Sequence, residues 1–169
     1  CANIRPEKNH MRQIETMTLL RDKGVRFKWL NLGSTADKEL YRQLLEKVAR
    51  YNLSDDFLFL GAVDNPYPYM RNATAVAVLS DYESWSMVIT EAKILGVPVI
   101  ATKTSGALEQ IEHYVTGVLC EFDAVDIAEK LGRLLYDYEF QGKIRSNIID
   151  FNPNVGALKS FYKLMKEGS

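Results

Sequence analysis

The chain has 169 residues, of which 47% are hydrophobic and 25% are charged, and its formal net charge at pH 7 is −1. It contains no run of eighteen apolar residues, so the sequence predicts a soluble globular domain without a membrane span. The near-zero net charge gives no reason to expect a nucleic acid or an anionic membrane as a generic partner. Any anion-binding site must therefore be local.

The cysteine content indicates the cellular compartment, and the first residues indicate whether the chain is a fragment. Cys1 and Cys120 are too few for a disulfide framework, which favours the reducing cytoplasm, and both thiols are expected to be inert. The chain opens on Cys-Ala-Asn-Ile rather than methionine and shows no signal peptide. We therefore expect a fragment whose natural start lies upstream.

The first half of the chain alternates between helical and strand-like patterns. Apolar spacing predicts a helix over 7–23, stopped by Gly24, and then a strand over 25–32. A second helix is expected over 36–51 and a short buried strand over 57–60, ending at Gly61. A brief helix near Pro66 precedes a strand over 75–79.

The second half continues the alternation. A loop carrying Glu83 leads into a helix that carries Glu91 and stops at Gly96, followed by a strand over 97–101. After a polar loop at 102–106, we expect a short helix through Tyr114, a strand over 118–120 and helices over 124–136 and 155–166, with no assignment between the last two. Apolar strands alternating with helices predict one Rossmann-like α/β domain over 1–169, with a parallel sheet between two helical layers.

Polar segments follow the predicted strands at corresponding places. In an open parallel sheet, ligands bind beyond the carboxyl ends of the strands. We therefore expect a single cleft formed by four segments, 3–10, 61–65, 81–87 and 102–106.

Two glutamates separated by seven residues distinguish the middle of the chain, although the spacing alone is weak. The same spacing occurs at Glu7/Glu15 and Glu121/Glu129, as chance allows. Only Glu83/Glu91 lies between two apolar strands, at 75–79 and 97–101. Its loop would place a carboxylate beside the free N–H groups of a helix start, which suits a ligand with hydroxyls and phosphates.

Several motifs, in order and spacing, resemble the carboxyl-terminal, donor-binding half of a GT-B glycosyltransferase, most like family 4 of the retaining enzymes. They are residues 3–9 (Asn-Ile-Arg-Pro-Glu-Lys-Asn), 59–61 (Phe-Leu-Gly), Glu83 with Glu91, 96–102 (Gly-Val-Pro-Val-Ile-Ala-Thr) and 105–109 (Ser-Gly-x-x-Glu). The resemblance spans roughly residues 2–135.

The resemblance implies a role for the opening loop. Lys8 would contact the donor diphosphate, together with an arginine five residues earlier. That position holds Asn3, an uncharged hydrogen-bond donor. Arg5 lies at a different position, and whether Asn3 or Arg5 takes the arginine's part is left open by the sequence.

The resemblance also implies ligand-binding roles for residues in the middle of the chain. Glu83 would lie by the donor hexose, making Glu83 and Lys8 the catalytic candidates, and Glu91 would bind the ribose. The segment Ser84, Trp85, Ser86, Met87 and Val88 would offer backbone N–H groups to the phosphates. Ser84 and Ser86 bear on the sugar contacts, and Trp85 would either pack in the core or form a platform for the donor sugar. Gly61 would border the nucleobase, with Tyr67 and Tyr69 as secondary candidates. His10 is expected at the surface and His113 to be ordinary.

By the same resemblance, the chain would bind a nucleoside-diphosphate sugar without a metal or other cofactor. The full enzyme would transfer the sugar with retention to a glycan or lipid-linked acceptor in polysaccharide or glycoconjugate biosynthesis. An amino-terminal acceptor domain would be the missing partner, and the isolated domain would be inactive. The location would be the cytoplasm or the inner membrane face. The alternatives are a non-catalytic nucleotide-binding module and a nucleotide-sugar epimerase.

Overall fold

The computed structural model describes residues 1–35 and 37–149, which form parallel strands flanked by helices. The strands are β1 (Trp29–Leu32), β2 (Phe57–Gly61), β3 (Val76–Val78), β4 (Val99–Thr102) and β5 (Val118–Cys120). A single 3-10 turn, Pro6–Lys8, precedes the helices α1 (His10–Asp22), α2 (Lys38–Arg50), α3 (Tyr67–Arg71), α4 (Met87–Ile94), α5 (Ser105–Gln110), α6 (Ala124–Tyr136) and α7 (Tyr138–Ile149).

All strand pairings are parallel, and they form two sections. Strands β1 and β2 make one section, with Trp29 opposite Phe57. Strands β3, β4 and β5 make the other in that order, with Ala77 opposite Ile100 and Ala101 opposite Leu119. The predicted parallel α/β fold is confirmed, but within the described residues its sheet is divided between β1 and β3.

Alternate residues of the central strands pack on opposite faces. Ile100 and Val118 belong to a core formed with α1, α2, α6 and α7, whereas Ala101 and Leu119 belong to a second core formed with α4 and α5. Side chains of successive strand residues point to opposite faces, so both faces of this section are covered. The predicted three-layer arrangement is confirmed.

Two helices end at the glycines where the sequence predicted, and the backbone conformation of these glycines explains why. Gly24 and Gly96 lie just beyond α1 and α4 with φ angles of 82° and 69°. This left-handed conformation costs glycine little because it has no Cβ atom. Both glycines therefore end their helices as the sequence predicted.

Two predicted elements are shorter than expected because their backbones bind elsewhere. Residues 25–28 are not part of β1, since the N–H and carbonyl of Arg26 bond the hydroxyl of Tyr136 at 3.0 and 3.1 Å. Helix α5 ends at Gln110 rather than Tyr114, and Tyr114 has φ 64° beside a bridge between His113 and Gly117. A helix through Tyr114 was therefore wrong.

The carboxyl-terminal part adds one element that the sequence left unassigned. Helix α7 follows α6 after a single residue, Asp137, whose carboxylate accepts the N–H of Phe140 at 2.9 Å. The helix predicted over 155–166 lies outside the described residues. In the part of the chain that is described, no helix has both the length and the apolar character needed to cross a bilayer.

Candidate functional site at the carboxyl ends of the strands

The four polar segments expected on one edge are linked there by backbone hydrogen bonds. The N–H of Gly33, after β1, donates to the carbonyl of Gly61 at 2.8 Å, and Asp81 N–H donates to Glu7 O at 2.8 Å. Gly106 N–H donates to Glu83 O, also at 2.8 Å. Because Ile4 N–H also donates to Ser34 O at 2.9 Å, the segment after β1 connects the opening loop with the segment after β2, and all of them form one continuous rim.

Lys8 is placed by a turn rather than by a helix. It ends the 3-10 turn, and Asn9 then adopts a left-handed conformation with φ 42°. The Oδ1 atom of Asn9 accepts the N–H of Arg12 at 3.0 Å, so Asn9 caps α1. The expected continuous helix over 7–23 was wrong at this point. The break turns the Lys8 side chain toward the loop after β3.

Asp81, in the loop after β3, binds the turn that carries Lys8. Its carboxylate accepts hydrogen bonds from Arg12 at 2.6 Å and from the Asn9 amide at 3.0 Å. Arg12 also donates to the carbonyl of Leu79 at 3.1 Å. Neither Asp81 nor Arg12 was predicted as a site residue, because no local pattern signals contacts between residues 69 positions apart.

The central contact of the rim is an ion pair. Lys8 Nζ lies 2.7 Å from Glu83 Oε2, and the two side chains are 25% and 14% exposed. The carbonyl of Glu83 also accepts the Ser105 hydroxyl at 3.2 Å. A Cβ atom on Gly106 would lie 2.7 Å from the backbone of Ser84, so only glycine permits this close approach.

The start of α4 adjoins Glu83, and one of its predicted ligands is already engaged. Ser86 is buried, and both its N–H and its carbonyl bond the side-chain amide of Gln110, at 2.9 and 3.0 Å. Ser86 N–H is therefore not free for a phosphate, which corrects that part of the prediction. The Ser86 side chain makes no capping bond to α4, which begins at Met87. The N–H groups of Met87 and Val88 remain the helix-start donors.

The apolar side chains of this loop face solvent. Trp85 and Met87 are 53% and 61% exposed, and Ser84 is exposed as well. Their exposure leaves them available to a ligand or to another part of the protein. The ligand-binding roles predicted for these three residues stay predictions.

Glu91 lies half-buried on α4 beside Tyr67. The Tyr67 hydroxyl donates to Glu91 Oε1 at 3.3 Å. Burial raises the pKa of Glu91, while the Tyr67 hydrogen bond and the nearby α-amino group of Cys1 oppose that rise. Burial raises the pKa of Tyr67 too, with Glu91 adding to it. Tyr67, a secondary candidate, thus contacts Glu91.

The other predicted ligands make their bonds outside the Lys8–Glu83 pair. Asn3 Oδ1 accepts the N–H of Ser34 at 2.9 Å, and Arg5 lies 3.9 Å from Glu7 with most of its side chain exposed. Gly61 ends β2 with φ 75° and has open space where a Cβ atom would be. Arg5 contacts Lys8 only through its carbonyl, which accepts the Lys8 N–H at 3.1 Å. Among residues 1–35 and 37–149, no side-chain hydrogen bond or ion pair joins Asn3, Arg5 or Gly61 to Lys8 or Glu83.

Of His10, His113 and Cys120, only His10 departs from its expected environment. His10 is buried rather than at the surface, and burial lowers its pKa to about 4. His113 Nδ1 accepts the N–H of Leu119 at 2.9 Å, a structural role. Burial raises the pKa of Cys120 to about 12, which keeps the thiol protonated and unreactive. Across the described ranges, no three His, Cys, Asp or Glu residues are grouped to hold a metal ion.

Comparisons with known proteins agree with this arrangement. The family model described as "Glycosyl transferases group 1" matches residues 1–151. N-acetyl-alpha-D-glucosaminyl L-malate synthase of Bacillus anthracis is 37% identical over 97 residues, 57% of this chain and 26% of that protein.

Solved structures show the same fold. Alr3699/HepE from Anabaena in complex with UDP-glucose has a TM-score of 0.79 and 25% identity, over 86% of this chain and 40% of that one. The C-terminal domain of the glycosyl transferase group 1 family protein LpcC from Francisella tularensis has a TM-score of 0.80 and 26% identity, over 89% and 80%. The matches to the Bacillus and Anabaena proteins thus span less than half of their lengths.

Proposed function

This chain belongs to the group 1 glycosyl transferases, and from that premise we propose that it binds the nucleoside-diphosphate-sugar donor of a retaining glycosyltransferase. The observation that carries the proposal is the Lys8–Glu83 contact of 2.7 Å at the carboxyl ends of the strands. It places a cation and a carboxylate at one point of the rim, beside the start of α4. A donor sugar carries both a diphosphate and hydroxyls for these groups.

The proposed chemistry depends on charge that develops as the sugar leaves. When the bond between the anomeric carbon and the diphosphate oxygen breaks, negative charge moves onto the diphosphate. The Lys8 ammonium and the N–H groups of Met87 and Val88 would stabilise that charge, because a cation and a helix start both favour anions. No metal ion is needed in this scheme. Glu83 would hold hydroxyls of the hexose on the same side.

Glu91 would bind the ribose of the donor. Its carboxylate is one helical turn or more beyond the start of α4 and is oriented by Tyr67. A carboxylate accepts hydrogen bonds from two neighbouring hydroxyls, and such charge-assisted bonds contribute about 1.5–3 kcal/mol each. Of the remaining candidates, Trp85 and Ser84 would meet the sugar. Gly61 would border the base, and Asn3 or Arg5 would assist Lys8.

Lys8 and Glu83 must exchange partners when a donor binds. In this structure each satisfies the charge of the other. A diphosphate would take the ammonium and a sugar hydroxyl would take the carboxylate, so part of the binding free energy is spent on separating the pair. Donor binding by this domain alone is therefore expected to be modest.

The proposal for the whole protein follows the family. The chain would be one nucleotide-sugar-binding domain that acts with an amino-terminal acceptor domain, and alone it would transfer no sugar. The acceptor would be a glycan or a lipid-linked glycan in polysaccharide or glycoconjugate biosynthesis. The reaction would take place in the cytoplasm or at the inner membrane face. Because a solved relative was crystallised with UDP-glucose, UDP-sugars are the first donors to test.

A thermal-shift panel of uridine, guanosine and adenosine diphosphate sugars tests donor binding. A donor at about 100 times its dissociation constant should stabilise the domain by about 2.7 kcal/mol, or about 5–10 °C. Lys8→Ala and Glu91→Ala should each weaken binding about 10- to 100-fold and reduce the shift. Lys47→Ala is the matched control, because the Lys47 side chain is 22% exposed, close to the 25% of Lys8, and pairs with Glu15 on the helical surface.

The panel can also reject the proposal. Equal shifts for the wild type, both site variants and Lys47→Ala would exclude this site. Sugar transfer by the chain alone would contradict its dependence on another domain. If the protein with both domains binds donor but transfers no sugar, a non-catalytic module or an epimerase would replace the proposed transferase.

A further inference from the structure

Gln110, the last residue of α5, bonds both backbone groups of the residue that precedes α4. Its Oε1 atom accepts the N–H of Ser86 at 2.9 Å, and its Nε2 atom donates to the Ser86 carbonyl at 3.0 Å. Nε2 also donates to Thr90 Oγ1 at 2.9 Å, one turn further along α4. An amide nitrogen has two hydrogens, and here each has an acceptor. These three bonds form a clamp on the start of α4, the Gln110 clamp.

The backbone of Gln110 is also bound by α4. Lys93 Nζ, in the last turn of α4, donates to the Gln110 carbonyl at 2.8 Å. Gln110, Ser86 and Lys93 are all buried, so water does not compete for these bonds. Helix α4 thus contacts the same residue near both of its ends. The Gln110 side chain therefore reaches Ser86 from a fixed backbone position.

The first residues of α5 hold the other end of the loop that carries Glu83. Gly106 N–H and the Ser105 hydroxyl both donate to the Glu83 carbonyl, at 2.8 and 3.2 Å. Helix α5 is capped by Thr104 and follows directly after β4, the middle strand of its sheet section. The loop of residues 83–86 is therefore tied at both ends to α5, and through α5 to the sheet.

The Gln110 clamp stands in place of a side-chain cap on α4. A serine before a helix commonly accepts a first-turn N–H with its own hydroxyl. Ser86 has the extended conformation of a capping residue, with φ −102° and ψ 110°, but its side chain makes no such bond. Gln110 instead fixes Ser86 through its backbone. The N–H groups of Met87 and Val88 are thereby oriented while no capping side chain competes with a ligand for the helix start.

We propose that Gln110 is a positioning residue for the donor phosphate that carries the leaving oxygen. The inference rests on the proposed function, in which the N–H groups of Met87 and Val88 stabilise charge on the diphosphate. The leaving oxygen belongs to the terminal phosphate of the released nucleoside diphosphate. Gln110 makes no contact with the donor in this scheme. It acts through Ser86, by fixing the direction of those N–H groups relative to Glu83.

The clamp requires a side chain that both donates and accepts hydrogen bonds. Methionine is close to glutamine in length but offers no donor and only a weak acceptor, so Gln110→Met would leave the Ser86 N–H and carbonyl without these partners. The proposed ribose ligand, Glu91, lies further along α4 and is held by Tyr67 instead. Loss of the clamp should therefore affect the terminal phosphate more than the nucleoside.

Paired titrations with UDP and UMP test the proposal, because UMP lacks the terminal phosphate. If the thermal-shift panel selects another base, its diphosphate and monophosphate take their place. Gln110→Met should weaken diphosphate binding about 10-fold and monophosphate binding by less than about twofold. Hydrogen exchange of the Ser86 N–H should become faster in this variant, which reports the loss of the clamp directly.

Ile111→Val is the matched control for a purely structural effect. Ile111 is the buried neighbour of Gln110, and shortening it leaves the clamp in place. This variant should lower the melting temperature without changing the ratio of the two dissociation constants.

A milder pair of variants keeps the test decisive if Gln110→Met does not fold. Thr90→Val removes one acceptor of the clamp and should weaken diphosphate binding about 2- to 3-fold, with monophosphate binding unchanged. Thr90→Ser keeps the hydroxyl and should bind both nucleotides as the wild type does.

Other outcomes overturn the proposal and separate it from the proposed function. If the wild type prefers the diphosphate but the Gln110 and Thr90 variants weaken both nucleotides equally, Gln110 has only a structural role and the donor site stands. Unchanged diphosphate affinity despite faster Ser86 exchange leads to the same conclusion. Equal affinity of the wild type for both nucleotides would reject a contribution from the terminal phosphate. If the wild type binds no nucleotide of the panel, the proposed function fails and this proposal with it.

Discussion

Lys8 Nζ lies 2.7 Å from Glu83 Oε2, although the two residues are 75 positions apart in the chain. The backbone around each partner is held by further hydrogen bonds. The Lys8 turn is held by Asn9 and Asp81, and the Glu83 loop by its bond from Gly106. The pair is therefore preorganised, which reduces the ordering cost of binding a ligand at this point.

The first prediction concerns the strength of this pair. A double-mutant cycle with Lys8→Met and Glu83→Gln should give a coupling free energy of about 1 kcal/mol without donor. A saturating donor should change that value, because its phosphates take the ammonium. The control cycle on Lys47 and Glu15 should not respond to donor. Denaturant unfolding measures both cycles, and an unchanged Lys8–Glu83 coupling in the presence of bound donor would contradict the partner exchange.

The second prediction concerns the close approach at Gly106. Gly106→Ala should destabilise the chain by about 2 kcal/mol and weaken donor binding, because a Cβ atom would press on the Ser84 backbone next to Glu83. The matched control is Gly142→Ala in α7, where a Cβ atom meets nothing within 4 Å. That substitution should stabilise the chain by about 0.5–1 kcal/mol. Chemical denaturation and donor titration distinguish the two, and equal effects would refute the steric explanation.

The third prediction gives Asp81 a positioning role. Asp81→Ala removes the acceptor for Arg12 and Asn9, which frees the turn that carries Lys8. Donor affinity should fall severalfold although the scheme gives Asp81 no contact with the donor. Asp55→Ala, at an exposed turn remote from the rim, is the control and should leave affinity unchanged. Isothermal titration with UDP-glucose would measure both, and an unaltered affinity in the Asp81 variant would exclude the role.

The fourth prediction follows from the raised pKa of Glu91, which burial causes. Between the usual value of 4.5 and the raised folded value, the folded state binds more protons than the unfolded state, so stability falls as pH rises through this window. Glu91→Gln removes this titration. Relative to the wild type, the variant should become more stable as pH rises from about 4 to 8. Melting temperatures across that range test the sign, and a difference that shrinks with pH would contradict it.

Local sequence patterns were enough to predict most of the secondary structure. The strands near 57–61, 76–78 and 118–120 and the helices near 38–50 and 124–136 were predicted to within a few residues. The periodicity of apolar residues indicates which face of an element is buried. Gly24 and Gly96 indicate helix ends because each adopts a left-handed conformation there. The predictions failed near Asn9 and Tyr114, which adopt left-handed backbone conformations. They also failed near Arg26, whose backbone N–H bonds the distant Tyr136 hydroxyl.

By itself, the sequence determined the fold class, the family resemblance and the edge of the sheet at which the polar segments meet. These follow from the periodicity of apolar residues and from the rule that the carboxyl ends of parallel strands lie at the same edge of the sheet, where ligands bind. Only the tertiary structure decided that Lys8 contacts Glu83 and that Asp81 holds the turn carrying Lys8. It also decided that the Gln110 side-chain amide accepts the Ser86 N–H and that the sheet is divided between β1 and β3. Contacts between residues far apart in the chain depend on packing of the whole domain, and no local pattern encodes their distances.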